Sequence, residues 1–375
     1  RQITKSAARL SEKAFRKVPR AEIFAQTGLQ FMQFNSLFQL LAHKQATPGL
    51  LEATDCLLFM PDFVHWALCG SRVAEFTIAS TSQCLDVASR RWAEALLGRF
   101  PLPAGISGED VPPGTVLGEL LPHVGEETGL QGTPIVAVGG HDTALAVAAV
   151  PARGEGFAYV SSGTWSLLGA EIPRPCVDER SRAANFTNEG GVGGTIRFLK
   201  NLCGLWLVQE SRRHWARQGE EDSYDDLARL AAAAPAYRSL VDVDDPAFAA
   251  PGDMPARIRD YCRVTGQPVP ESKGEIVRAA LDSLALKYRY VLGQAEGILG
   301  RRLSPIHVVG GGSRNRLLCQ LAADATGRPV VAGPVEATAA GNVLMQALAL
   351  GRLGSLADLR EVVRRSFEIV AYEPR

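Results

Sequence analysis

The sequence predicts an α/β fold with a partly parallel sheet, divided over two domains. Three observations predict it. The chain has 375 residues, beyond the size at which a single core usually keeps growing. Residues 304–351 alternate strand and helix signals, namely SPIHVV, a Gly310-Gly311-Gly312 turn, SRNRLLCQLAADATG, RPVVAG and EATAAGNVLMQALALG; that order implies parallel strands. TPIVAVGG (133–140) reads as a buried strand that stops on two glycines.

Taken in order, the first hundred residues read as mainly helical, with helices expected around 1–17, 35–45, 60–70 and 90–98 and turn chemistry at Thr27-Gly28 and Cys69-Gly70-Ser71. Asn35 or Ser36 is placed to cap SLFQLLAHK. A Pro/Gly-rich stretch, PLPAGISGEDVPPG (101–114), precedes the 133–140 strand. FAYVSSGTWSLLGAEI (157–172) reads as two strands joined at Ser161-Ser162-Gly163-Thr164. NFTNEGGVGG (185–194) reads as a flexible polar loop, a candidate substrate loop on composition. RFLKNLCGLWLVQESRRHW (197–215) reads as one long amphipathic helix, and a mixed helical region runs to about 300. Leu317, Leu318, Leu321, Ala322 and Ala325 repeat at helical spacing and give the helix after the glycine turn one packed face.

Composition narrows the class. Hydrophobic residues make up 46% of the chain, with 37 glycines and 22 prolines dispersed along it, which argues against disorder and low complexity. Forty basic residues balance forty acidic ones, so the electrostatic footprint of a nucleic-acid or anionic-membrane binder is missing. Small soluble substrates fit better. Seven cysteines, widely spaced and never in C-x-x-C, suggest neither a zinc site nor a secreted disulfide framework. No apolar run reaches the length of a membrane span, and a cytoplasmic location is expected. Oligomeric state is not legible.

Three glycine- or hydroxyl-bearing turns each follow a strand: GGHDT (139–143), SSGT (161–164) and GGGS (310–313). Phosphates favour such turns because backbone amides approach closely where side chains are small. GGGS is not a dinucleotide fingerprint, since Asn315 stands where the third glycine belongs, and no Gly-Lys pair forms a Walker loop. Asp142 stands out as an acid at the mouth of an apolar strand, which costs free energy unless it is hydrogen-bonded or wet. It is either a helix N-cap for TALAVAAV or a general base within reach of a substrate hydroxyl. His141 is either structural or a second contact to that substrate. Asn201 and Gln209, eight residues apart on the expected helix, would lie roughly 12 Å apart along its axis. Trp165, Trp206 and Trp215 read as core or rim packing.

Taken together, TGLQFMQFNSLFQL (27–40), LLFMPDFVHWALCG (57–70), GGHDTALAV (139–147), AYVSSGTWSLLG (158–169), AANFTNEGG (183–191), LKNLCGLWLVQE (199–210), VVGGGSRNRLLCQLAADATG (308–327) and AGPVEATAAGN (332–342) resemble the FGGY carbohydrate kinases. TNEGG with KNLCGLWLVQ resembles the rhamnulokinase-like branch in particular. The resemblance implies two actin-like (ribonuclease-H-like) domains with an interdomain cleft, and ATP-dependent phosphorylation of a ketose at its 1-hydroxyl. It implies Asp142 as catalytic base, His141, Asp142, Thr143 and Asn201 as sugar contacts, Thr164, Gln209 and Gly311 as ATP contacts, and Mg²⁺ alongside ATP. No metal ligand is assigned within this sequence.

Family members open with a strand-turn-strand carrying an Asp-x-Gly-Thr/Ser phosphate motif, which is missing here. Residues 1–140 are therefore expected to be the remainder of an N-terminal domain incomplete at its start, and 141–375 the C-terminal domain. Either a segment precedes this stretch or the protein is truncated; truncation would leave apolar surface uncovered. Two other functions fit the same residues. One is a kinase for another sugar such as L-fuculose, and the other is a non-catalytic nucleotide- or sugar-binding remnant.

Overall fold

The structure is a computed structural model describing residues 2–47 and 49–375. The chain forms two compact units, each assembled from separated segments. The first runs to Ala148 and adds Glu171–Leu199 and Thr338–Leu359; the second comprises Ala149–Ala170, Lys200–Ala337 and Arg360–Arg375. Among the described residues no helix is long and apolar enough to cross a membrane.

The first unit opens with helices Gln2–Lys17, Arg20–Thr27 and Ser36–Ala46. Residue 1 of the first expected helix lies outside the described residues. These helices and the intervening Val18 form one apolar cluster, with Ile23, Leu37 and Phe38 packed against Leu96, Leu97 and Phe100. Asn35 sits at the cap position of the third helix, but its amide donates to Gln83 Oε1 at 3.1 Å instead of capping. The helix expected over 90–98 is shorter, Glu94–Arg99, because Arg91–Trp92 pairs antiparallel with Leu85–Asp86. On helix Met60–Cys69 the side chains of Met60, Phe63, Val64 and Trp66 are exposed. Strand Val73–Glu75 pairs in parallel with Glu109–Val111, and Pro134–Ala137 pairs antiparallel with Thr115–Glu119. Strand Pro134–Ala137, expected to be buried, is exposed at Pro134 and half-buried at Ile135 and Val136, with only Ala137 buried; it leads into helix Asp142–Ala148, in which residues 143–148 are all buried.

Within the Val73–Glu109 pair, half-buried Asp110 supplies a pH-dependent prediction. Its Oδ1 is buried and finds no hydrogen-bond partner among the described residues. Burial pushes its carboxyl from the ordinary 3.8 up to about 6, with Arg91 offsetting part of the effect. A carboxyl that binds its proton more tightly when folded destabilises the fold once ionised. The cost is therefore absent below about pH 3.8 and complete above about pH 6. Full burial would make it about 3 kcal/mol, and half-exposure to water reduces it to about 1 kcal/mol. Urea titrations should find Asp110→Asn more stable than the parent by about 1 kcal/mol near pH 8, with the gain vanishing near pH 4.

The second unit is built on a mixed sheet. Strand Ile306–Val309 runs parallel to both Ala158–Ser162 and Val330–Ala332. Val370–Tyr372 joins Val330–Ala332 antiparallel, and Trp165–Ile172 joins Ala158–Ser162 antiparallel. The partly parallel sheet and the 157–172 hairpin expected from the sequence are both present. Helix Lys273–Leu299 begins with a capping box between Ser272 and Glu275. Its buried Tyr288 hydroxyl lies 2.6 Å from Ser166 Oγ of the sheet. Helix Arg316–Thr326, capped by Asn315, buries Leu318, Leu321 and Ala322.

Two expectations fail here. Residues 197–215 are not one helix: Ile196–Cys203 is a strand, and the helix is Trp206–Ala216. Gly204 separates them, and a Cβ there would stand 2.6 Å from the Trp165 carbonyl carbon, so no side chain fits between strand end and hairpin. Asn201 therefore belongs to the strand and Gln209 to the helix, so the two do not share a helix axis. Residues 185–194 are not a flexible loop either, because Thr187–Gly190 is a fully buried strand paired antiparallel with Ile196–Leu199. The polar side chain of Asn188 is satisfied internally, donating to the Gly28 and Cys176 carbonyls at 3.0 Å.

Candidate active site

In the first unit, the GGHDT turn is fixed from below by a buried acid. Glu75 ends strand Val73–Glu75 and its carboxylate accepts from the amides of Thr77 (3.0 Å), Ile78 (3.3 Å) and Gly140 (2.6 Å). It also accepts the Thr77 hydroxyl at 2.5 Å, and Thr77 Oγ1 in turn accepts the His141 amide at 3.1 Å. Burial raises the Glu75 carboxyl above its usual range, although these donors pull it back. Glu75 and Thr77 thus hold the backbone of residues 140 and 141, a part that the sequence reading missed.

Asp142 opens helix Asp142–Ala148, and its side chain is 77% exposed. Its Oδ1 accepts from the adjacent Thr143 amide at 2.6 Å and hydroxyl at 3.2 Å. An N-cap side chain accepts instead from amides two or three residues on, so the arrangement differs from a regular cap. The exposed carboxylate avoids the desolvation penalty that its apolar sequence context suggests. His141 Nε2 lies 3.5 Å from Asp142 Oδ1. His141 Nδ1 faces the opposite way, 2.9 Å from Arg197 Nη2 and 3.3 Å from Glu189 Oε2. The structure brings together His141, Asp142 and Thr143 from the predicted set and adds Glu189 and Arg197, which the sequence reading did not single out.

The second unit groups a different subset. The parallel register that sets Val309 beside Ser161 places the SSGT and GGGS turns at the same edge of the sheet. Thr164 Oγ1 donates to Gln209 Oε1 at 2.8 Å. The amides of Gly204 and Leu205 donate to the carbonyls of Thr164 (3.1 Å) and Gly163 (3.0 Å), which seats the Trp206–Ala216 helix against the hairpin tip. Gly311 is exposed, with open space where a Cβ would project. Bare backbone and a hydroxyl–amide pair therefore share one sheet edge, at the strands' C-terminal ends where α/β folds bind ligands. Asn201 is half-buried on its strand in this same unit. Trp165 lies at the rim, 51% exposed, and Trp215 is buried.

Comparison with known proteins identifies the family. The model of the N-terminal domain of the FGGY family of carbohydrate kinases matches residues 4–149, and that of the C-terminal domain matches 158–350. The chain belongs to the FGGY family of carbohydrate kinases. It is 47% identical over 364 residues to a rhamnulokinase of Bacteroides thetaiotaomicron, covering 97% of this chain and 74% of that protein. A rhamnulokinase of Oceanobacillus iheyensis is 37% identical over 363 residues, covering 97% and 76%. Among solved structures, gluconate kinase from Lactobacillus acidophilus superposes with a TM-score of 0.78 at 16% identity, covering 99% of this chain and 74% of that one. Xylulose kinase from Rhodospirillum rubrum gives 0.75 at 20% identity, covering 99% and 73%. These neighbours establish the actin-like two-domain fold, and the family membership makes the protein a carbohydrate kinase. Sugar kinases of this family use ATP.

Proposed function

We propose that the protein phosphorylates L-rhamnulose at its 1-hydroxyl, giving L-rhamnulose 1-phosphate, with Asp142 as general base. The observation that carries the reading is the exposed Asp142 carboxylate on a turn fixed by buried Glu75 and Thr77. A general base must be rigidly placed and open to a substrate hydroxyl. Identity of 47% to a protein named rhamnulokinase supports the choice of sugar.

Bound Mg-ATP supplies the transferable phosphoryl group. Asp142 takes the proton of the 1-hydroxyl as the oxygen bonds to the γ-phosphorus and the bond from that phosphorus to the ADP oxygen breaks. His141, Thr143 and Asn201 hold the sugar. Thr164, Gln209 and the bare backbone at Gly311 contact the nucleotide, the last through close approach to phosphate. Mg²⁺ bound with the nucleotide would neutralise phosphate charge during the transfer, and none of these residues is assigned to hold it.

Coupled measurement of ADP release over a ketose panel tests this. L-Rhamnulose should give a kcat/KM at least about tenfold above L-fuculose, the size of discrimination that one or two pocket contacts supply. A higher value for L-fuculose would keep the chemistry and change the substrate. Sugar binding without ADP release would make the protein a non-catalytic binder.

A further inference from the structure

We propose that Arg197 and Glu189 are positioning residues that fix His141 as its Nε2–H tautomer, with that N–H turned toward the Asp142 carboxylate. The inference rests on the reading of Asp142 as base and His141 as sugar contact, and deepens it. Arg197 is fully buried, an expensive place for a permanent charge unless it is paired and hydrogen-bonded. The antiparallel register sets it directly opposite Glu189, so both side chains point to one face of the strand pair. Its Nη1 forms an ion pair with Glu189 Oε2 at 3.1 Å that lacks hydrogen-bond alignment, and its Nε donates to the Gly190 carbonyl at 2.8 Å. The remaining Nη2 stands 2.9 Å from His141 Nδ1.

Donor chemistry decides the tautomer. A guanidinium has five N–H donors and no acceptor, so a bond between Nη2 and Nδ1 requires Nδ1 to accept. The ring proton then sits on Nε2, 3.5 Å from Asp142 Oδ1. A rival arrangement puts the proton on Nδ1 and gives it to Glu189 Oε2, but that oxygen is farther away, at 3.3 Å. Although burial favours its neutral form, Glu189 is held below the usual carboxylate range, first by the Arg197 guanidinium and then by His141 beside it; the carboxylate is the guanidinium's counter-ion. Asp142 Oδ1 already accepts from Thr143. At 3.5 Å from Asp142 Oδ1 the Nε2–H remains free to donate to a sugar oxygen beside the base, and a protonated Nε2 cannot compete with Asp142 as a second base. A buried ion pair adds little to stability over apolar side chains; here it specifies the orientation of one imidazole.

The test uses the full chain labelled with [15N]histidine, whose six histidines give resolvable long-range proton–nitrogen correlations, with His141 assigned by loss of its signals in His141→Asn. The parent protein without ligands should show the Nε2–H pattern for His141. Arg197→Met should move it to Nδ1–H, and Arg197→Lys, which retains a donor, should keep Nε2–H. In Arg197→Met the sugar KM should rise about tenfold while the ATP KM is unchanged, the loss expected from one misdirected hydrogen bond; a merely structural role would affect both. An Nδ1–H or doubly protonated His141 in the parent near neutral pH overturns the proposal, as does an unchanged tautomer in Arg197→Met. If Arg197→Met does not fold, the parent spectrum still decides. Because the tautomer is read without substrate or turnover, its failure is distinct from a failure of Asp142 as base.

Discussion

Asp142→Asn is expected to lower kcat by about a thousandfold, within the range that a positioned general base contributes. The sugar KM should stay within about threefold, because the carboxamide retains the shape and an acceptor oxygen. Stability should change by less than about 0.5 kcal/mol. The side chain is 77% exposed, and its two bonds are to the neighbouring Thr143, which an asparagine oxygen can accept equally. Stopped-time measurement of sugar-stimulated ADP release, paired with thermal unfolding of both proteins, checks the prediction. The opposite pattern, turnover retained with stability lost, would assign Asp142 to helix capping and remove it from the chemistry.

The expected and observed sites diverge in an instructive way. Asp142 was legible because an acid interrupted an apolar run, AVGGHDTALAV. The same signature occurs in RVAEFTIAS (72–80), where Glu75 interrupts an apolar stretch, and consistent use of that signal would have found the carboxylate under the turn. Arg197 and Glu189 were hidden for a different reason. With 197–215 read as a helix and 185–194 as a loop, nothing sets Arg197 beside Glu189. Only the antiparallel register makes them partners, and pairing across a strand is a tertiary fact that local periodicity does not contain. The strand-helix alternation after residue 300 was legible because its apolar runs, glycine turns and helical spacing all agree. Gly204 was the available warning in the misread segment, a helix-weakening residue in the middle of a supposed helix.

Gly341→Ala should unfold the first unit more readily and disable the site together. Helix Ala337–Ala349 meets helix Asp142–Ala148 backbone to backbone at this residue. A Cβ on Gly341 would stand 2.1 Å from the Leu145 carbonyl oxygen and 2.7 Å from its carbon. Non-bonded carbon contacts settle at about 3.5–4.0 Å, so the helices must separate by about 1 Å or more, since peptide atoms cannot swing aside as a flexible side chain can. Overpacking of this kind costs about 3 kcal/mol at the upper end of the usual range, which lowers Tm by about 6–12 °C in a unit of this size. Leu145 lies one turn beyond Asp142, and Thr338, on the opposing helix, donates its hydroxyl to the Asp142 carbonyl at 3.3 Å. Displacement of the helix therefore moves the carboxylate, and a misplacement of about 1 Å can cost about a hundredfold in rate. Gly293→Ala provides the internal control: Gly293 lies in helix Lys273–Leu299 with open space around its Cβ position, and alanine there should stabilise by about 1 kcal/mol. Opposite signs for one substitution in two helices would tie the effect to the close approach at Leu145. Equal, small effects at both positions would show that the contact at Gly341 is not what sets the Asp142 helix in place.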